Sequence, residues 1–159
     1  MKSKRKITVL GIGNLLYSDE GVGIHVLPLL AERLSPYENV EVIEGSTDGI
    51  RLLETIEGTD YLIIVDAVNA GKEAGTIVTL VDDEIPAYFG VKMSIHQLGF
   101  QEVLFAAKIR ETCPEQMILF GVQPASLEIG LQLSDIVQAQ LPQLAEKVVQ
   151  QVRKWCGVL

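Results

Sequence analysis

Three residues stand out for the chemistry they could do: Glu20, Asp66 and His96. Two carboxylates and an imidazole suit a borderline divalent cation, and three protein ligands leave coordination positions open for a substrate or water. The three lie far apart in the chain, so they form no local motif of the H-E-x-x-H kind. Only a fold can bring them together. Each also has an ordinary structural reading. Glu20 can favour a helix N-terminus, Asp66 can cap the loop after its strand, and His96 can be a surface or capping histidine.

The elements that must position them are visible in the chain. Glu20 belongs to the stretch ITVLGIGNLLYSDEGVG, residues 7–23. Ile7-Thr8-Val9-Leu10 reads as a buried strand. Gly11-Ile12-Gly13-Asn14 is turn chemistry. Ser18 is then expected to cap a helix whose apolar positions are Ile24, Leu27, Leu30, Ala31 and Leu34. Strand, glycine loop and helix in that order open a βαβ unit. The loop is not a dinucleotide fingerprint: Gly11 and Gly13 fit G-x-G-x-x-G, but Leu16 takes the third glycine's place. Asp19 and Glu20 would also repel a pyrophosphate at the helix start.

Asp66 ends Tyr61-Leu62-Ile63-Ile64-Val65-Asp66, a continuous apolar run of the kind that forms a central parallel strand. Ligands of open α/β sheets sit outside the carboxyl ends of the strands, which makes this strand end and the loop after strand one the expected site positions. His96 lies in Ser94-Ile95-His96-Gln97, which opens a helix with Leu98, Val103, Leu104 and Ala107, capped by Ser94.

Val40–Glu44 and Met117–Val122 read as further strands, and residues 50–56 as a short helix. Thr76–Val81 alternates and reads as an antiparallel edge strand. Asp82-Asp83-Glu84 is expected to be a solvated acidic turn, and residues 85–91 to be irregular. Ser134 is expected to cap a long C-terminal helix bearing Val137, Leu141, Leu144, Val148, Val152 and Trp155, which starts late or kinks at Pro142. The sum is a single α/β domain over residues 1–159: a three-layer sandwich with a mostly parallel, twisted sheet of about five strands flanked by helices.

The composition narrows the function. Hydrophobic residues make up 48% of the 159, ample for one core, and the net charge of −8 argues against nucleic acid or an anionic membrane as partner. No apolar stretch is long enough to span a bilayer. Residues 1–6 are a basic tail followed by strand one, with no small-residue cleavage site, so a cytoplasmic protein is expected. Cys113 and Cys156 lack metal-ligand spacing and read as two reduced thiols. His25 is expected on the exposed face of the first helix. No Ser-His-Asp arrangement and no reactive-cysteine signature is present.

GIGNLLYSDEGVG resembles the opening motif of the [NiFe]-hydrogenase maturation endopeptidases, which trim the C-terminus of the hydrogenase large subunit. The resemblance runs over nearly the whole chain: IEGSTDGIRLL in the loop after strand two, YLIIVDAVNAG at strand three, KMSIHQLGF, LFGVQPASLEIG and the final helix. It implies that Glu20, Asp66 and His96 are the metal-binding residues on which cleavage depends. It also implies a monomer whose partner is the large-subunit precursor, and a nickel ion supplied by that precursor as the proposed metal. The second loop departs from the family's Asp-Gly-Gly-Thr, reading Glu44-Gly45-Ser46-Thr47. That leaves Glu44's contribution open. Another divalent metal that activates water is a second way to use the three ligands. A non-catalytic metal-binding maturation chaperone and a nucleotide-binding oxidoreductase using Gly11 and Gly13 are the alternatives from other classes.

Overall fold

A computed structural model describes residues 4–45, 49–91 and 95–157. Five strands form one sheet in the order β2-β1-β3-β5-β4: β1 (Ile7–Gly11), β2 (Val40–Glu44), β3 (Tyr61–Ala67), β4 (Ile77–Val81) and β5 (Gln116–Val122). The first, second, third and fifth are parallel, and β4 runs antiparallel along the β5 edge. All five residues of β1 are buried, as are six of seven in β3 and in β5, while the edge strands β2 and β4 are part-exposed. This is why the three central strands read as unbroken apolar runs and β4 as an alternating one.

Alternate residues serve two separate cores. On one face Val9, Ile63, Val65, Phe120 and Val122 pack against α1 (Val22–His25), α2 (Leu27–Leu34) and α7 (Leu141–Trp155). On the other, Leu10, Leu62, Ile64 and Leu119 pack against α3 (Gly49–Glu57), α4 (Glu84–Val91) and α5 (Ile95–Ile109). The fold is therefore the expected three-layer sandwich. The chain leaves β1 for β2 on one side and later crosses to β3 on the other. The carboxyl ends of β1 and β3 thus flank the topological switch point, the place where open α/β sheets bind ligands.

Several local expectations are corrected. Ser18 does not cap a helix: residues 18–21 form a 3-10 turn with no side-chain cap, and Ser18 stands at φ 47°. Its Oγ donates instead to the Glu128 carbonyl, 2.8 Å away. The first helix is broken at Val26, because Pro28 has no N–H to donate back to the Ile24 carbonyl. The buried face becomes Val22, Val26, Leu30 and Leu34, and Ala31 is exposed. His25 is half-buried rather than exposed, and its Nε2 has no hydrogen-bond partner among the described residues.

Residues 84–91 are helical, not irregular. Pro86 sits in the first turn of α4, where its missing donor costs nothing. The acidic turn before it does more than face solvent. Asp82 Oδ1 accepts from Met117 N–H at 2.9 Å, and Glu84 Oε1 accepts from Val81 N–H at 2.9 Å. Ser134 caps only the single-turn α6 (Asp135–Gln138), and α7 starts late with Pro142 in its first turn. The expected cap Ser94 lies outside the described residues. The short helix expected over residues 50–56 is α3, in which Leu52 and Ile56 are buried and Ile50 is exposed.

Candidate functional site

Glycine chemistry brings the acid pair down onto the sheet. The 3-10 turn packs against β3. A Cβ on Gly13 would stand 2.2 Å from the Glu20 carbonyl oxygen, and one on Gly23 would stand 2.3 Å from the carbonyls of both Ile12 and Val65. No side chain fits at either position. The glycines therefore serve close backbone packing, and the space that a pyrophosphate would need over Gly13 is filled by the turn itself. Asn14 completes the bend. Its N–H donates to the Glu20 carbonyl at 3.2 Å, and its Oδ1 accepts from Leu16 N–H at 2.9 Å. Glu20 N–H in turn donates to the Tyr17 carbonyl at 3.0 Å.

The result is that Glu20 is only 8% exposed at the carboxyl end of β1. Asp66 is the penultimate residue of β3, fully buried at 0% exposure, opposite Gly121 of β5. Its Oδ1 accepts from Ala67 N–H at 2.8 Å. Both acids thus lie at the same end of the sheet, on two elements in contact. By strand alternation Asp66 belongs to the face covered by α5. That helix runs from the carboxyl edge back to the amino edge, where Glu115 N–H, just beyond it, meets the Asp60 carbonyl. Its first turn, with backbone position 96, is therefore at the carboxyl edge too. The His96 side chain lies outside the described residues, and among those described no group of three or more His, Cys, Asp and Glu is placed to hold a metal ion. Glu44 ends β2 at the same edge, opposite Gly11, and is exposed; the loop at residues 46–48 lies outside the described residues.

Sequence reasoning missed two residues that hold this edge together. Asp19 is fully buried and accepts four hydrogen bonds: Ala125 N–H and Ser126 N–H on Oδ2 (2.8 and 3.0 Å), Ser134 N–H on Oδ1 (2.8 Å) and Ser134 Oγ–H on Oδ2 (2.8 Å). A buried carboxylate is acceptable when donors surround it in this way. Asp19 thereby ties the Glu20 turn to the segment that follows β5. Gln123 does similar work for the loop after β3. Its Oε1 accepts from Ala70 N–H at 2.8 Å and Lys72 N–H at 3.2 Å, and its Nε2 donates to Asn69 Oδ1 at 3.1 Å. The available signals were the doubled acid Asp19-Glu20 and the polar Gln123 directly after an apolar strand.

The thiols are elsewhere. Cys113 and Cys156 are both free. Cys113 borders a cavity of about 960 Å³ at the opposite, amino-terminal end of β5, lined by Asp82, Phe105, Ile109 and Met117 among others. Although the residue is exposed, desolvation of its sulfur raises the thiol above its ordinary pKa against the pull of Lys108. It is no activated nucleophile.

A doubly wound sheet with acids at its switch point defines a class of α/β proteins, and sequence comparison gives the family. The sequence model described as hydrogenase maturation protease matches residues 24–151. The chain is 41% identical over 152 residues to the hydrogenase expression/formation protein HupD of Rhodobacter capsulatus, covering 94% of this chain and 72% of that one. It is 39% identical over 150 residues to the hydrogenase 2 maturation protease of Escherichia coli, covering 94% and 92%. The hydrogenase maturating endopeptidase HybD from E. coli superposes with a TM-score of 0.84 at 36% identity, over 94% of this chain and 93% of that one. The chain belongs to the hydrogenase maturation protease family. It is a peptidase, which removes the chaperone and oxidoreductase alternatives. No helix among the described residues is long and apolar enough to cross a membrane.

Proposed function

We propose that this protease removes the C-terminal extension of a [NiFe]-hydrogenase large-subunit precursor after nickel insertion, and that Glu20, Asp66 and His96 contact the nickel which the precursor already holds. The observation that supports this reading is that two buried acids, Glu20 and Asp66, lie at the same edge of the sheet, beyond the carboxyl end of β1 and at that of β3. Two carboxylates brought together away from solvent would repel each other, and a cation would relieve the repulsion. Oxygen donors with an imidazole from the first turn of α5 suit a borderline metal such as nickel. The metal then acts as a check that the substrate is mature, and the enzyme works as a cytoplasmic monomer.

The test is incubation of the purified enzyme with the large-subunit precursor in nickel-loaded and nickel-free forms, with product mass as the readout. Cleavage of the loaded form alone is expected. Asp66→Asn and His96→Gln should abolish or strongly slow it while melting temperatures stay near the parent's. Cleavage of nickel-free precursor once zinc is added would assign the metal a water-activating role instead.

A further inference from the structure

The loop that carries Glu20 also presents an apolar surface, and it does so jointly with the segment after β5. Ser18 N–H donates to the Gly130 carbonyl at 2.8 Å, and Gly130 N–H donates to the Leu16 carbonyl at 2.9 Å, pairing Tyr17 with Gly130 in a short parallel bridge. Around that bridge Leu15, Leu16, Tyr17, Leu127, Ile129 and Leu131 are all exposed, Ile129 by 86% and Leu131 by 67%. Scattered surface leucines need no explanation, but six large apolar side chains on two paired segments make a patch.

The patch is held in place rather than merely left out of the core. Asp19 anchors the far segment at Ala125, Ser126 and Ser134 on either side of it. Ser18 Oγ fixes the Glu128 carbonyl. The bridge sets Gly130 against Tyr17, so the alternate residues Ile129 and Leu131 flank it. An outward-facing apolar surface on a fixed backbone is pre-organised for a partner, which lowers the ordering cost of binding.

We infer that this platform docks an apolar stretch of the precursor next to the bond that is cut. The inference rests on the function proposed above. Its argument is continuity: the platform and Glu20 share one turn, joined by the bond from Glu20 N–H to the Tyr17 carbonyl. A protein-sized substrate that engages the turn bearing Glu20 meets Leu16 and Tyr17 at its start, both exposed. A second copy of this chain docked there would cover the same turn and block that access. Glu128 is the one charged residue of the segment 127–131. The surface therefore selects apolar side chains rather than a charged strand or headgroup.

The test compares the parent, Ile129→Asp/Leu131→Asp and the milder Leu131→Ser on the nickel-loaded precursor from the same organism. Ile109→Asp, an equally exposed apolar residue at the opposite end of the sheet, is the control. The double variant should raise KM by about tenfold or more with kcat at saturation within roughly twofold, as loss of a docking hot spot requires. Leu131→Ser should shift KM in the same direction, and Ile109→Asp should not shift it. A parent that cleaves, with KM unchanged in the double variant, overturns the platform but leaves the proposed function standing. So does a fall in kcat alone, or an equal KM rise in Ile109→Asp. Sedimentation showing a parent dimer that the double variant dissolves, with KM unchanged, assigns the patch to a second copy and also overturns it. If the parent does not cleave, the proposed function fails, and interferometry on immobilised precursor decides the platform: binding lost in the double variant supports it, while equal binding or none by the parent overturns it.

Discussion

Asp19 and Ser134, 115 positions apart, are joined twice: the carboxylate accepts from both the N–H and the hydroxyl of the serine, each at 2.8 Å. Ser134 is at the same time the N-cap of α6, its Oγ accepting from Val137 N–H at 3.4 Å. One buried acid thus couples the turn bearing Glu20 to the start of the C-terminal helices. The first prediction follows from the donors around it. Asp19→Asn keeps the shape but turns an NH₂ toward groups that are themselves donors. Leaving a buried donor unmet costs about 1–3 kcal/mol. A lower urea midpoint and slower precursor cleavage are expected together. An unchanged midpoint would mean the four bonds are not what holds the two segments.

Gly13→Ala offers a test of the close approach. Its Cβ would meet the Glu20 carbonyl, which is backbone and cannot swing aside. The turn must move, and Glu20 moves with it. Cleavage should be lost, while circular dichroism still reports a folded α/β protein of reduced melting temperature. Overpacking of this kind costs about 1–3 kcal/mol.

Acid should weaken the tie between the end of α3 and the turn that follows α5. Glu57 accepts from the Thr112 hydroxyl and from Arg110 Nε at 2.7 Å. Those two bonds, the threonine's first, hold its carboxyl below its ordinary value of 4.5. A depressed folded-state pKa means that the unfolded chain binds the proton more readily. The stabilisation is therefore present above the ordinary value and lost as pH falls through the folded one. Urea midpoints measured from pH 7 down to pH 3 should show Glu57→Gln losing less than the parent over the acidic part of the range.

The cysteines should be dispensable. Both thiols are free and Cys113 is exposed, so it should react with a thiol reagent in the native protein without loss of cleavage. Cys113→Ser/Cys156→Ser should process precursor at the parent's rate. Loss of activity in a folded double variant would reveal a thiol role.

The sequence by itself determined the strands, the layers and the sheet edge at which Glu20 and Asp66 lie. Burial on both faces demands continuous apolar runs, and these are local properties visible in Ile7–Leu10, Tyr61–Val65 and Met117–Val122. The alternation of Thr76–Val81 marked β4 as an edge for the same reason, and Asp66 near the end of strand three marked the carboxyl end. What only the tertiary structure decided are the roles that depend on a distant partner. Ser18 looks like a helix cap until Glu128 and Gly130 come within reach of it. Asp19 looks like a dipole acid until residues 106, 107 and 115 positions later supply its donors. Leu127, Ile129 and Leu131 would pass for core residues in any local reading, and only the packing leaves them outside. Short-range sterics and hydrophobic periodicity act within a turn or two of chain, so they are written locally. Hydrogen-bond partners and surface exposure are set by which segments the completed sheet brings side by side.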